Sequence, residues 1–239
     1  MNDRQPSLLS RRLWAQREAF FLSQLVRALE LLHHRTALPT DEVGLNRELY
    51  FCLLQASREL DPHAKYPPVL TECCNQPDPD DTVRSKREDK RPDFQWAFTD
   101  QHEPDIRRSS KQFVCECKRL GSPTSHDWVL NVNYVTNGVC RFAEEAWGYG
   151  QRFPSGVMVG YWQTMEPNAI LNEVNATAQE HGLPNLALTG GWRPKGVSRL
   201  EHSFTRLFPI SPFRLDHFWV DVRVASTHSK LRARKQPHS

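Results

Sequence analysis

The chain has no continuous apolar run approaching the roughly 18 residues that a membrane span needs. Its first residues show no basic segment leading into a short apolar stretch and a small-residue cleavage site. We therefore expect neither membrane insertion nor secretion, and a cytoplasmic location. G-x-S-x-G, P-loop and G-x-G-x-x-G sequences are also missing, so acyl transfer, nucleotide hydrolysis and dinucleotide redox chemistry have no sequence warrant. Charge of one sign is not in excess: the formal net charge is +3, which neither demands nor excludes a nucleic-acid partner. Internal repeats and low-complexity segments are absent. The six cysteines, without a secretory leader, are expected to stay reduced. A zinc site from Cys73, Cys74, Cys115 and Cys117 is disfavoured, because adjacent cysteines make a poor chelate.

What is present suffices for a core. The chain has 239 residues, 38% of them hydrophobic, with seven Trp and twelve Phe; this length fits one main domain, since single cores stop growing near roughly 250–300 residues. Basic residues gather in Arg84, Lys86, Arg87, Lys90 and Arg91, in Arg107, Arg108 and Lys111, and in Arg223, Lys230, Arg232, Arg234 and Lys235.

From about Leu8 to His34, apolar residues at helical spacing predict a long amphipathic helix. A second helix follows Pro39, with Thr40 or Asp41 as N-cap, and runs to about Glu59 before "DPHAKYPP" breaks it. Residues 71–90 are polar and read as a loop or irregular edge. "RPDFQWAF" and "QFVCECKRLG" then alternate as two adjacent strands. A helix over Val135–Tyr149 precedes the continuously apolar "SGVMVGYW", the pattern of a buried central strand. A helix over Asn168–His181, the short "NLALTGGW" and the strand "FRLDHFWVDVRV" complete the order. The class this implies is α/β, a mixed central sheet flanked by helices. We divide the chain into an N-terminal helical extension (1–39), a main domain (40–223) and a basic flexible tail (224–239).

The chemistry is suggested by Asp93, Glu116 and Lys118. Phosphodiester hydrolysis needs a positioned water, charge neutralisation and help for the leaving alkoxide, and Mg²⁺ held by a few carboxylates serves all three. Glu116 and Lys118 stand at i and i+2, so a strand turns both to one face while Cys115 and Cys117 turn to the other. Lys118 is expected to meet phosphate or to orient and deprotonate water, the latter only if its pKa is brought down toward neutrality.

Pro92-Asp93 followed by Glu116-Cys117-Lys118, each half within an apolar strand, resembles the PD-(D/E)XK nuclease motif, over roughly Leu45 to Tyr161. The resemblance implies a restriction-endonuclease-like sheet, with the motif on adjacent strands and an additional acid from an upstream helix, a position matched by Glu48 in "NRELYFCLL". It implies Asp93, Glu116 and Glu48 as ligands to Mg²⁺, or Mn²⁺ in its place, and Arg91, Gln151, Arg141 and His202 as weaker nucleic-acid contacts. The expected activity is endonucleolytic cleavage of DNA, with RNA open. By family analogy it suggests an effector of bacterial antiviral defence, with the N-terminal helix as a surface for a partner or a second copy. The competing expectation is a catalytically inactive nucleic-acid-binding or scaffold subunit.

Overall fold

The structure, a computed structural model, describes residues 8–208 and 210–223. Its centre is a seven-stranded mixed sheet of β1 (Val69–Thr71), β2 (Phe94–Thr99), β3 (Ser110–Leu120), β4 (Ser155–Trp162), β5 (Ala187–Thr189), β6 (Val197–Phe204) and β7 (Phe213–Asp221), in the order β1-β2-β3-β4-β7-β6-β5. β4 is buried along its whole length and lies between β3 and β7, parallel to both. Its unbroken apolar sequence is what a strand covered on both faces requires. The flanking pairs are antiparallel, and the two edge strands are only three residues long, which limits the exposed ladder.

Helices cover both faces. On one lie α1 (Leu8–His33) and α2 (Glu42–Leu60). Trp14, Phe21, Leu25 and Leu29 of α1 and Leu45, Leu49 and Leu53 of α2 meet Trp96, Phe113, Cys115 and Cys117 of the sheet in one core. Each large apolar side chain among them contributes about 1.5–3 kcal/mol by leaving water. The apolar stripe of α1 is therefore buried against the chain's own sheet, and α1 shares the main core. Asp41 caps α2, its side chain accepting from Gly44 N–H at 2.8 Å, a contact typically worth about 1 kcal/mol.

The other face is covered by α4 (Leu130–Tyr134), a π-turn (Val135–Val139), α5 (Cys140–Ala143) and α6 (Pro167–Glu180). The single helix expected over Val135–Tyr149 is thus interrupted and ends at Ala143. Gly138 lies where the π-turn presses on the sheet: a Cβ there would meet Met158 Cε at 2.6 Å and Lys118 Cγ at 3.3 Å. Residues 71–90 are also more ordered than their polarity suggests. α3 (Arg84–Glu88) forms within them, and Arg87 makes a buried ion pair with Asp81. The segment expected as a basic tail, 224–239, lies outside the described residues. Among the described residues no helix is long and apolar enough to cross a membrane.

Candidate active site

Asp93 stands one residue before β2, and its position follows from the β2–β3 register. The pairing begins at Phe94 opposite Cys115, so the Cys117 N–H has no β2 residue to receive it. The Asp93 side chain takes that place, Oδ2 accepting from Cys117 N at 2.7 Å. Its Oδ1 accepts from Asn46 Nδ2 of α2 at 3.0 Å, and Asn46 Oδ1 in turn accepts from Tyr161 OH of β4 at 2.7 Å. Burial raises the Asp93 pKa, with Glu42 adding to the effect, against the opposing pull of Lys118, the Cys117 N–H and Arg141.

Glu116 and Lys118 share one face of β3, as alternation requires, while Cys115 and Cys117 enter the opposite core. Glu116 is fully buried. Its Oε1 lies 3.0 Å from Lys118 Nζ and accepts a hydrogen bond from Arg141, whereas Oε2 has no hydrogen-bond partner. Burial, then the neighbouring Asp93 carboxylate, push Glu116 up to about 8 against Lys118 and Arg141. Lys118 Nζ also donates to Glu42 Oε1 and to the Cys117 carbonyl, both at 2.7 Å. Burial alone would lower the Lys118 pKa, but Glu116, Asp93 and Glu42 outweigh it and the net shift is upward. Lys118 is therefore a fixed cation here. The lowered pKa that water deprotonation by this residue would need is not found.

Lys118 reaches a cleft of about 340 Å³ lined by Glu42, Lys118, Arg119, Trp128, Asn137 and Arg141 among others. No family model, curated protein or solved structure matches the chain. Of the three carboxylates, Glu42 lines the cleft together with Lys118 and Arg141, whereas Asp93 and Glu116 do not, Glu116 being fully buried beside Lys118 and Arg141. A buried Glu116 oxygen without a donor, beside a second carboxylate that repels it, fits a cation-binding role. The donors are oxygens of the hard kind that suit Mg²⁺ or Mn²⁺.

Several expected residues fall elsewhere. Glu48 pairs with Arg35 at 3.0 Å, partly exposed, and does not join Asp93 and Glu116. Helical phase explains this: Glu42 and Asn46 are four residues apart and share a face, whereas Glu48 is turned roughly 200° from Asn46. The acid that α2 brings to the cleft is Glu42, at its first turn. Gln151 is buried, accepting from Asp78 N–H at 2.8 Å and donating to Asp81 at 3.0 Å, so it stabilises the 71–90 segment. His202 is 2% exposed on β6, against Phe204 and His217, and has no surface to offer phosphate. Arg91 is exposed just before Asp93. Arg141 does reach the site, contacting Glu116 while stacking on Trp147 with 4.4 Å from its guanidinium carbon to the ring centre. Sequence reasoning missed Glu42, Asn46 and Trp128; the i, i+4 spacing of the first two at the start of a capped helix was the available signal.

Proposed function

We propose that this cleft hydrolyses phosphodiester bonds of DNA with Mg²⁺, or Mn²⁺ in its place, as a nuclease of the PD-(D/E)XK type on a restriction-endonuclease-like sheet. The observation that carries the reading is that Asp93, held by the Cys117 N–H, lies near enough to Glu116 and Lys118 for their charges to act on one another, with Glu116 Oε2 left without a donor. Asp93 and Glu116 are the residues to hold the ion. Bound there, Mg²⁺ would neutralise charge on the non-bridging oxygens and supply a water of lowered pKa.

The chain's own residues do the rest. Lys118, kept protonated by Glu116, Asp93 and Glu42, meets the phosphate as a cation and stabilises the charge that develops on its oxygens. Asn46 and the Cys117 N–H fix the Asp93 carboxylate so that its geometry is set before substrate arrives. Arg119 and Arg141 on the cleft wall supply sequence-independent attraction for neighbouring phosphates. Trp128, half exposed on the same wall, offers its ring to an unstacked base.

A second reading, a scaffold without catalysis, is favoured by one contact: Lys118 bridges Glu42 and Glu116, so the acids already have counter-charges from the chain itself. Calorimetric titration with Mg²⁺ separates the two. The nuclease reading expects saturable binding that Asp93→Asn abolishes, together with cleavage of double- or single-stranded DNA or RNA substrates. Nucleic-acid binding without either would establish the scaffold.

A further inference from the structure

A second group of ligand-type side chains lies away from the carboxylate cleft, where two helices end side by side. Cys140 opens α5, Glu144 follows one turn later at its C-cap, and His181 is the C-cap of α6. Their Sγ, carboxylate oxygen and imidazole nitrogen all lie within 4.8 Å of one another. Cys140 Sγ is 3.6 Å from His181 Nδ1, and Nδ1 is 3.9 Å from Glu144 Oε1. We propose that Cys140, Glu144 and His181 bind a borderline-soft divalent cation of the Zn²⁺ class, at a site separate from the carboxylate cleft.

Geometry supports this directly. With Zn–S near 2.3 Å, Zn–N near 2.0–2.1 Å and a tetrahedral angle, the S···N separation in a zinc site is about 3.6 Å, the spacing found between Cys140 and His181. The Nδ1–Oε1 distance exceeds the corresponding about 3.3 Å by an amount that a change of rotamer in the half-exposed Glu144 removes. Donor type then selects the ion, because sulfur with imidazole and one carboxylate suits Zn²⁺ or Co²⁺ and not Mg²⁺. Cys140 is anchored in the core while Glu144 and His181 stand at the surface, so the cation has a route in and a fourth position open to water. The C-terminal carbonyls of the fourteen-residue α6 add a negative potential at His181.

The site also has a mechanical consequence. It ties the end of α6 to α5 one residue before Arg141, whose guanidinium contacts Glu116. A cation there holds the segment that carries Arg141 in place.

Co²⁺ titration of the whole chain is the test, read by the near-ultraviolet thiolate-to-cobalt charge-transfer band and by the visible bands of a tetrahedral ion. One equivalent is expected to saturate these bands, and Zn²⁺ to abolish them. His181→Ala, at an exposed position, should weaken binding by more than about tenfold, and Cys140→Ser should remove the charge-transfer band. Asp93→Asn should leave both unchanged, so failure of the nuclease reading would be recognised separately. Absence of a saturable band in the wild-type protein overturns the proposal, as does a band that persists in both His181→Ala and Cys140→Ser. The Cys140–His181 contact would then be a thiol–imidazole hydrogen bond only.

Discussion

Replacing Lys118 by Met removes the ammonium from between Glu116 and Glu42 while keeping most of the side-chain volume. The Lys118–Glu116 ion pair that disappears is a buried one, with side chains 9% and 0% accessible. Glu116 keeps only Arg141 for its charge, and the Cys117 carbonyl is left without its 2.7 Å donor. Breaking a buried pair on one side costs about 3–5 kcal/mol when the remaining charge stays desolvated; Glu116, already pushed up to about 8, takes up a proton more readily once Lys118 is gone, which places the loss toward the lower end. That is a large part of a typical domain stability of about 5–15 kcal/mol. Urea unfolding followed by circular dichroism should therefore show a clear fall in the midpoint. Glu116→Gln with Lys118→Met should cost less than Lys118→Met alone, because the uncompensated charge is gone. If Asp93 and Glu116 hold a divalent cation, millimolar Mg²⁺ should restore part of the stability that Lys118→Met removes. A Lys118→Met protein within about 0.5 kcal/mol of wild type, the range of ordinary surface substitutions, would show that the pair is not the buried, mutually dependent one described. A double variant whose destabilisation is the simple sum of the two would show the same.

Other perturbations separate the remaining contacts. Glu48→Gln should change stability by less than about 1 kcal/mol, as for a partly exposed pair, and leave nuclease activity intact; Glu42→Gln should lower activity, and equal loss in both would restore Glu48 to the site. Acid should destabilise the fold through its buried histidines. Burial holds His202 down at about 4 although the Pro184 carbonyl opposes this, and burial together with His202 holds His217 well below the ordinary value. Both are neutral in the fold, whereas the unfolded chain takes up protons below about 6.5. Stability is thus complete above that value and is lost as pH falls toward 4, by about 2 kcal/mol at pH 5 from His202 alone. Urea midpoints at pH 7.5 and 5 for wild type and His202→Leu should show a shallower dependence in the variant; identical slopes would discount the histidine.

The β3 half of the site was legible because alternation is a hard constraint. Once Cys115 and Cys117 are assigned to the core, Glu116 and Lys118 must share the opposite face. The central place of β4 was equally plain from its apolar run. The helical contribution was harder to read, since any Glu on α2 satisfies a motif, and only the phase set by buried Leu45, Leu49 and Leu53 decides between Glu42 and Glu48. The interrupted helix depends on how closely Gly138 approaches Met158 and Lys118, a tertiary distance that no local pattern encodes. The order within residues 71–90 likewise rests on partners far along the chain, such as Gln112 accepting from Gln76 N–H and Gln151 from Asp78 N–H, both at 2.8 Å. His202 misled for a related reason: the β6 pattern alternates cleanly, and its histidine lies on the buried side.

Nicking of supercoiled plasmid decides whether Asp93, Glu116 and Lys118 form a cation-dependent phosphodiesterase centre. Wild type and Asp93→Asn would be compared with Mg²⁺, with Mn²⁺ and with chelator, after circular dichroism has shown both proteins folded. We expect wild-type cleavage with either ion, none with chelator, and none from folded Asp93→Asn. Equal cleavage by the two proteins, or cleavage unaffected by chelator, would rule out such a centre.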